Sequence, residues 1–155
     1  MEIISVAIAD DHIIFRKGLA TILNEIATVK VVAEASNGNE LLDFLKTGKA
    51  DVVLMDIKMP VLDGIEATRR LTERYPDIGV IALTMHEEIG YFNKMIEAGA
   101  KGFLLKKTNQ EQLGTAPEKL AQYLPRQGAE CHAHPDFAPA LCHGVGHYAV
   151  GSQCR

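Results

Sequence analysis

Ile3-Ile4-Ser5-Val6-Ala7-Ile8-Ala9 is an apolar run that ends in two adjacent carboxylates, Asp10-Asp11, and Asp51-Val52-Val53-Leu54-Met55 is a second run that ends in Asp56. Each has the length and composition of a buried strand. If the two lie side by side and parallel, three carboxylates meet at one edge of a sheet, where their repulsion is tolerable only with a cation among them. The pattern predicts a metal site beside a nucleophile.

Outward from these runs, strand-like and helix-like segments alternate. Phe15, Leu19, Ile22, Leu23 and Ile26 recur at helical spacing after the first run. Val29 to Ala35 reads as a second strand, Asn37-Gly38 as a turn, and Leu41, Leu42 and Leu45 as one face of a second helix. A third helix over Ile65 to Tyr75 is stopped by Pro76, and Val80 to Leu83 follows as a fourth strand. A fourth helix carries Ile89, Phe92, Met95 and Ile96 and ends at Gly99, before a fifth strand over Gly102 to Leu105.

Five strands alternating with helices predict an α/β fold, a doubly wound parallel sheet, because parallel neighbours need right-handed crossovers. Ligands of such folds sit outside the carboxyl ends of the strands. Asp10-Asp11, Asp56, Thr84 and Lys106 each follow a predicted strand, so four polar sites share one rim. Singly, each has an ordinary reading: an Asp after a strand usually caps a helix, a lone Lys is usually solvated, and an edge Thr usually bonds backbone. Together on one rim they point to phosphoryl chemistry. A carboxylate such as Asp56 attacks phosphorus only when the negative charges are offset. Magnesium, with its preference for oxygen donors and water, suits that task. Asp11 and Asp56 are the expected direct ligands, and Asp10 acts through water. Lys106 supplies a point charge, and the Thr84 hydroxyl a donor, to phosphoryl oxygens.

The chain of 155 residues has a hydrophobic fraction of 47% and a formal net charge of -4. That is enough for one core and does not suggest nucleic acid or a membrane surface as a partner of the bulk charge. With no basic leader after Met1 and no apolar stretch of about 18 residues, a cytoplasmic protein with no membrane partner is expected.

Asp10-Asp11, Asp56 followed by Ile57-Lys58-Met59-Pro60 and Asp63-Gly64, Leu83-Thr84, and Gly102-Phe103-Leu104-Leu105-Lys106 resemble, in order and spacing, the receiver domain of two-component response regulators. The run Asp10-Asp11-His12 with Phe15-Arg16 and Gly18-Leu19 is most similar to receivers of the LuxR/NarL type, which precede a helix-turn-helix. The resemblance covers roughly residues 1 to 113 and implies the flavodoxin-like strand order 2-1-3-4-5. It implies that Asp56 accepts a phosphoryl group from a sensor histidine kinase and that Lys58 gives the metal its backbone carbonyl. Thr84 and Phe103 would form a switch pair, the aromatic turning inward as the threonine closes on phosphate. The parent role is transcription regulation. An aspartate-nucleophile, magnesium-dependent phosphohydrolase is the alternative; such enzymes carry Asp-x-Asp on the first strand, where this chain has an adjacent pair. A phosphorylation-driven switch, not an enzyme, is the expectation.

Thr108 with Glu111 and Thr115 with Glu118 are capping-box patterns, and Gly114 and Pro117 predict a fifth helix that is shortened or bent. Residues 114–126 then read as a short helix or linker, and dimerisation through that surface is doubtful, although a homodimer stays among the expected partners. Composition shifts near Pro125: residues 127–155 hold all three cysteines and four of the six histidines. No DNA-binding domain is evident there, because amphipathic helices and a basic recognition surface are lacking. Cys131, His132, His134, Cys142, His143 and His147 match no familiar zinc spacing. The leading reading is a tail that is not a selected domain, from a frameshifted or truncated gene end or from cloning. Met85, next to Thr84, reads either as a hindrance to phosphodonors or as a packing residue, and His86 as a solvated loop histidine in preference to a proton shuttle.

Overall fold

The computed structural model describes residues 3–84 and 89–106. Its elements run β1 (Ile4–Ala9), α1 (Ile13–Asn24), β2 (Val29–Ala35), α2 (Gly38–Leu45), β3 (Val52–Asp56), α3 (Gly64–Arg74), β4 (Gly79–Thr84), α4 (Ile89–Ala98) and β5 (Gly102–Leu105). All strand pairs are parallel, in the order β2-β1-β3-β4-β5. The expected sheet and strand order are present. Met85, His86, the break at Gly114 and Pro117, and the Cys/His tail lie outside the described residues.

Side-chain alternation divides the core into two layers. Val6, Ile8, Val52, Leu54, Ile81 and Leu83 face Leu19 and Leu23 of α1. Ala7, Ala9, Val53, Met55, Val80 and Ala82 face the other way, under Leu41, Leu45, Ala67, Leu71 and Met95 of α2, α3 and α4. Both faces of the central strands are dry, which explains why β3 and β4 read as unbroken apolar runs.

Local chemistry sets the element ends. Asn37, expected in a turn, instead caps α2: its side chain accepts the Glu40 N–H at 3.0 Å, and Glu40 accepts the Ser36 N–H at 2.8 Å in return. Asp63 caps α3 by accepting the Glu66 N–H at 2.9 Å. Gly99, at φ +110°, ends α4 with a paired closure in which Ala100 N–H reaches the Met95 carbonyl and Gly99 N–H the Ile96 carbonyl, each at 2.9 Å. Met95 takes the fully buried position on α4, and the 100° step to the next residue turns Ile96 toward solvent.

The loop after β3 carries one strained residue. Val61 has φ +68°, and the Leu62 N–H donates to the Pro60 carbonyl across it at 2.8 Å, a tight turn that β-branched residues disfavour. Its side chain is exposed, so little packing is lost on removing it. Val61→Gly should raise stability by about 1 kcal/mol, read as an increase in the urea midpoint at unchanged slope.

Candidate functional site

The register of the sheet assembles the acidic cluster. β1 pairs Ala9 with Met55 of β3, so Asp10 and Asp56 come next to one another at the carboxyl edge. Both follow the alternation of Ile8 and Leu54 toward the α1 face. The next pairs, Asp56 with Leu83 and Thr84 with Leu105, bring Thr84 and Lys106 to the same rim. All four predicted positions meet where the sequence placed them.

Asp10 is fully buried and Asp56 nearly so, whereas Asp11 lies outward. Asp10 Oδ1 accepts the His12 N–H at 2.8 Å, which turns the chain from β1 into α1. Its Oδ2 lies 2.8 Å from the Lys106 ammonium, which is also 3.0 Å from Asp56 Oδ2. These contacts are ionic: neither oxygen receives a hydrogen bond of sound angular geometry among the described residues. Lys106 reaches inward with its ammonium 5.1 Å from the centre of the Phe15 ring.

Burial, and after it the charge of Asp10, push the Asp56 carboxyl from its ordinary 3.8 up to about 7, against the opposing pull of Lys106. The ionised pocket is therefore short of positive charge. Asp10, Asp11, His12 and Asp56 each offer a ligand atom within 4.8 Å of the others. Buried carboxylate oxygens without hydrogen bonds, and a carboxyl that resists ionisation, fit a hard divalent cation such as Mg2+. The sign for stability follows. Between pH 3.8 and about 7 the folded state holds a proton on Asp56 that the unfolded state has lost, so this group's contribution falls as pH rises through that window. Chemical denaturation from pH 4 to 8 should show this decline without metal and a much smaller one in excess Mg2+.

Thr84 and Phe103 are both buried, and Phe103 points to the α4 side of the sheet, its ring stacked on Phe92 with centroids 3.9 Å apart. The aromatic of the expected switch pair thus occupies the inward position. The Lys58 ammonium lies 4.9 Å from the centre of the Tyr91 ring of α4, linking the loop after β3 to that helix.

Two residues received no role from the sequence. His12 places Nδ1 3.2 Å from Asp10 Oδ1, 3.3 Å from Asp11 Oδ1 and 3.9 Å from Asp56 Oδ2. Its position directly after an acidic pair was the available signal. Arg16, one turn into α1, donates from its guanidinium to the Asp10 carbonyl oxygen and pairs with Glu34 of β2 at 3.4 Å. Only the fold brings Glu34 within reach, so spacing along the chain could not reveal it.

Residues 6–118 match the response regulator receiver domain. The chain belongs to this family. Over 119 residues the receiver is 39% identical to the transcriptional regulatory protein DegU of Brevibacillus brevis, covering 77% of this chain and 50% of DegU. Over 141 residues it is 42% identical to the response regulator GacA of Pseudomonas viridiflava, covering 89% of this chain and 66% of GacA. The signal receiver domain of NarL from Mycobacterium tuberculosis superposes with a TM-score of 0.71 at 30% identity, covering 79% of this chain and 98% of that one. The chain thus spans between half and two thirds of the curated relatives' length. The family match does not favour the phosphohydrolase alternative, and no helix among the described residues is long and apolar enough to cross a membrane.

Proposed function

We propose that this receiver is a switch operated by phosphorylation of Asp56, with a sensor histidine kinase as donor and Mg2+ as cofactor. The observation that carries the reading is the buried Asp10–Asp56 pair bridged by Lys106 at 2.8 and 3.0 Å. Asp11 and Asp56 would hold the metal directly, with Asp10 through water and the Lys58 backbone carbonyl as a further donor. When bound there, Mg2+ would offset charge on the phosphoryl group and the carboxylates. An Asp56 oxygen forms the bond to phosphorus as the donor's bond breaks and the leaving group keeps the electron pair. Lys106, already 3.0 Å from Asp56 Oδ2, moves its charge onto a phosphoryl oxygen.

Thr84 closes on a second phosphoryl oxygen, and the inward Phe103 fills the space behind it. Contacts available only to the phosphorylated form shift the balance of the surface near α4 and β5. Moving a 1:99 balance to 99:1 needs about 5.5 kcal/mol, within reach of several charge-assisted contacts. In this reading residues 1–113 are the receiver, and the Cys/His composition of residues 127–155 sets them apart from it. The location is cytoplasmic, a homodimer is the further partner, and the parent role is transcription regulation.

Incubation with a small-molecule phosphodonor and Mg2+ distinguishes the switch from an enzyme. One phosphoryl group per chain, seen as a single mass increment, is the expected result. Rapid multiple turnover of phosphate esters would instead identify a phosphohydrolase.

A further inference from the structure

We propose that His12 is a nitrogen ligand of the pocket and tunes its metal preference, so that a divalent first-row transition ion outcompetes Mg2+ there. The inference rests on the reading of Asp11 and Asp56 as metal ligands and adds a donor of a different kind. Its first support is geometric. Ligands at right angles on an octahedral ion with bonds of about 2.1 Å lie about 3.0 Å apart, and opposite ligands about 4.2 Å apart. His12 Nδ1 stands 3.3 Å from Asp11 Oδ1 and 3.9 Å from Asp56 Oδ2, the two direct ligands, both between those limits. The imidazole edge therefore already stands at the spacing of a further vertex beside Asp11 and Asp56.

A second observation is independent of the acidic cluster's composition. Asp10 Oδ2 and Asp56 Oδ2 are buried without a hydrogen bond and aim at the same space. The Lys106 ammonium stands in that space as a cation, 2.8 and 3.0 Å from the two oxygens and 3.4 Å from His12 Nδ1. A positive centre in this pocket thus has the imidazole nitrogen within its coordination sphere after a small approach. Nδ1 hydrogen-bonds Asp10 Oδ1 at 3.2 Å, and because the side chain is 64% exposed, Nε2 can take the imidazole proton into water when an ion replaces that contact and draws the Nδ1 lone pair.

The chemical consequence is selectivity. Mg2+ prefers oxygen and gives up water reluctantly, whereas imidazole suits ions later in the first row, whose affinities rise from Mn2+ to Cu2+. A site of carboxylates alone discriminates weakly between Mg2+ and Co2+. The same site with one nitrogen donor favours Co2+, and intracellular transition metal would then compete for the centre that phosphoryl transfer uses.

The test is calorimetric titration of the full chain with Mg2+ and with Co2+, comparing wild type with His12→Asn and Asp11→Asn. Asparagine is a favoured residue at the start of a helix, so His12→Asn keeps the entry into α1. Co2+ sites lost in Asp11→Asn belong to the pocket, which separates them from any held by the cysteines and histidines of residues 127–155. His12→Asn should weaken Co2+ at the pocket at least about tenfold while changing Mg2+ affinity less than about twofold. Equal changes for both ions, or none for Co2+, would overturn the role of His12. Failure of wild type to bind Mg2+ in a manner that Asp11→Asn abolishes would instead overturn the underlying assignment of the pocket.

Discussion

Asp56→Asn should take up no phosphoryl group from a small-molecule donor in Mg2+, while the same substitution makes the metal-free protein more stable at pH 8. The two effects have one origin. Asp56 is held in a dry pocket beside Asp10, and burial followed by that neighbouring charge raises its carboxyl to about 7. Above that pH the folded state bears an ionised group it disfavours, by about 4 kcal/mol from the size of the shift. The amide has nearly the same shape and no charge, and Lys106 keeps Asp10 Oδ2 at 2.8 Å as its partner. A carboxylamide has no anionic oxygen with which to attack phosphorus, so uptake by mass should fall at least about a hundredfold. Urea unfolding at pH 8 should show the higher midpoint, and the stabilisation by Mg2+ should shrink because a ligand is gone. If the variant still gained phosphate as wild type does, the acceptor would be another residue.

The sequence disclosed this site because its parts are periodic. Apolar runs fixed β1, β3, β4 and β5, and the residue after each run, or at its end, had to lie on the carboxyl rim whatever the details of the helices. Register then did what spacing could not. Ala9 opposite Met55 makes Asp10 and Asp56 neighbours, a fact that depends on hydrogen bonding between strands more than 40 positions apart. His12 was hidden for the opposite reason. It is so close in sequence to the acidic pair that it reads as the first residue of a helix, and only the turn after β1 swings its ring back over the carboxylates. Arg16 and Glu34 lie in adjacent elements and meet across the β1–β2 crossover, which no local pattern encodes. Which of Met95 and Ile96 is buried was open in the sequence, because apolar spacing on a short helix fits two neighbouring faces equally well, and packing of Met95 chooses between them.

Gly64→Ala should destabilise the receiver by about 3 kcal/mol or more and impair phosphorylation as well. A Cβ at this position would lie 1.9 Å from the Asp56 carbonyl oxygen, 2.9 Å from its carbonyl carbon and 3.0 Å from Ile57 Cα. These are backbone atoms, so no side-chain rotation relieves the overlap. The Gly64 N–H also donates to the Ile57 carbonyl at 2.8 Å, tying the first residue of α3 to the strand end that carries Asp56. Relief must either lift α3, which pulls Ala67 and Leu71 out of the core, or push the end of β3 toward Asp10. The first route loses packing, and the second moves the carboxylate by a distance on the order of 1 Å, enough to cost about a hundredfold in rate. Gly18→Ala supplies the contrast. Gly18 lies within α1 with nothing within 4 Å of its Cβ position, so there alanine should stabilise by up to about 1 kcal/mol through helix propensity. One chemical change thus has opposite signs at two helical glycines, and urea midpoints followed by circular dichroism measure both. A loss at Gly18 equal to that at Gly64 would mean that contact with the Asp56 backbone does not set the difference between these positions.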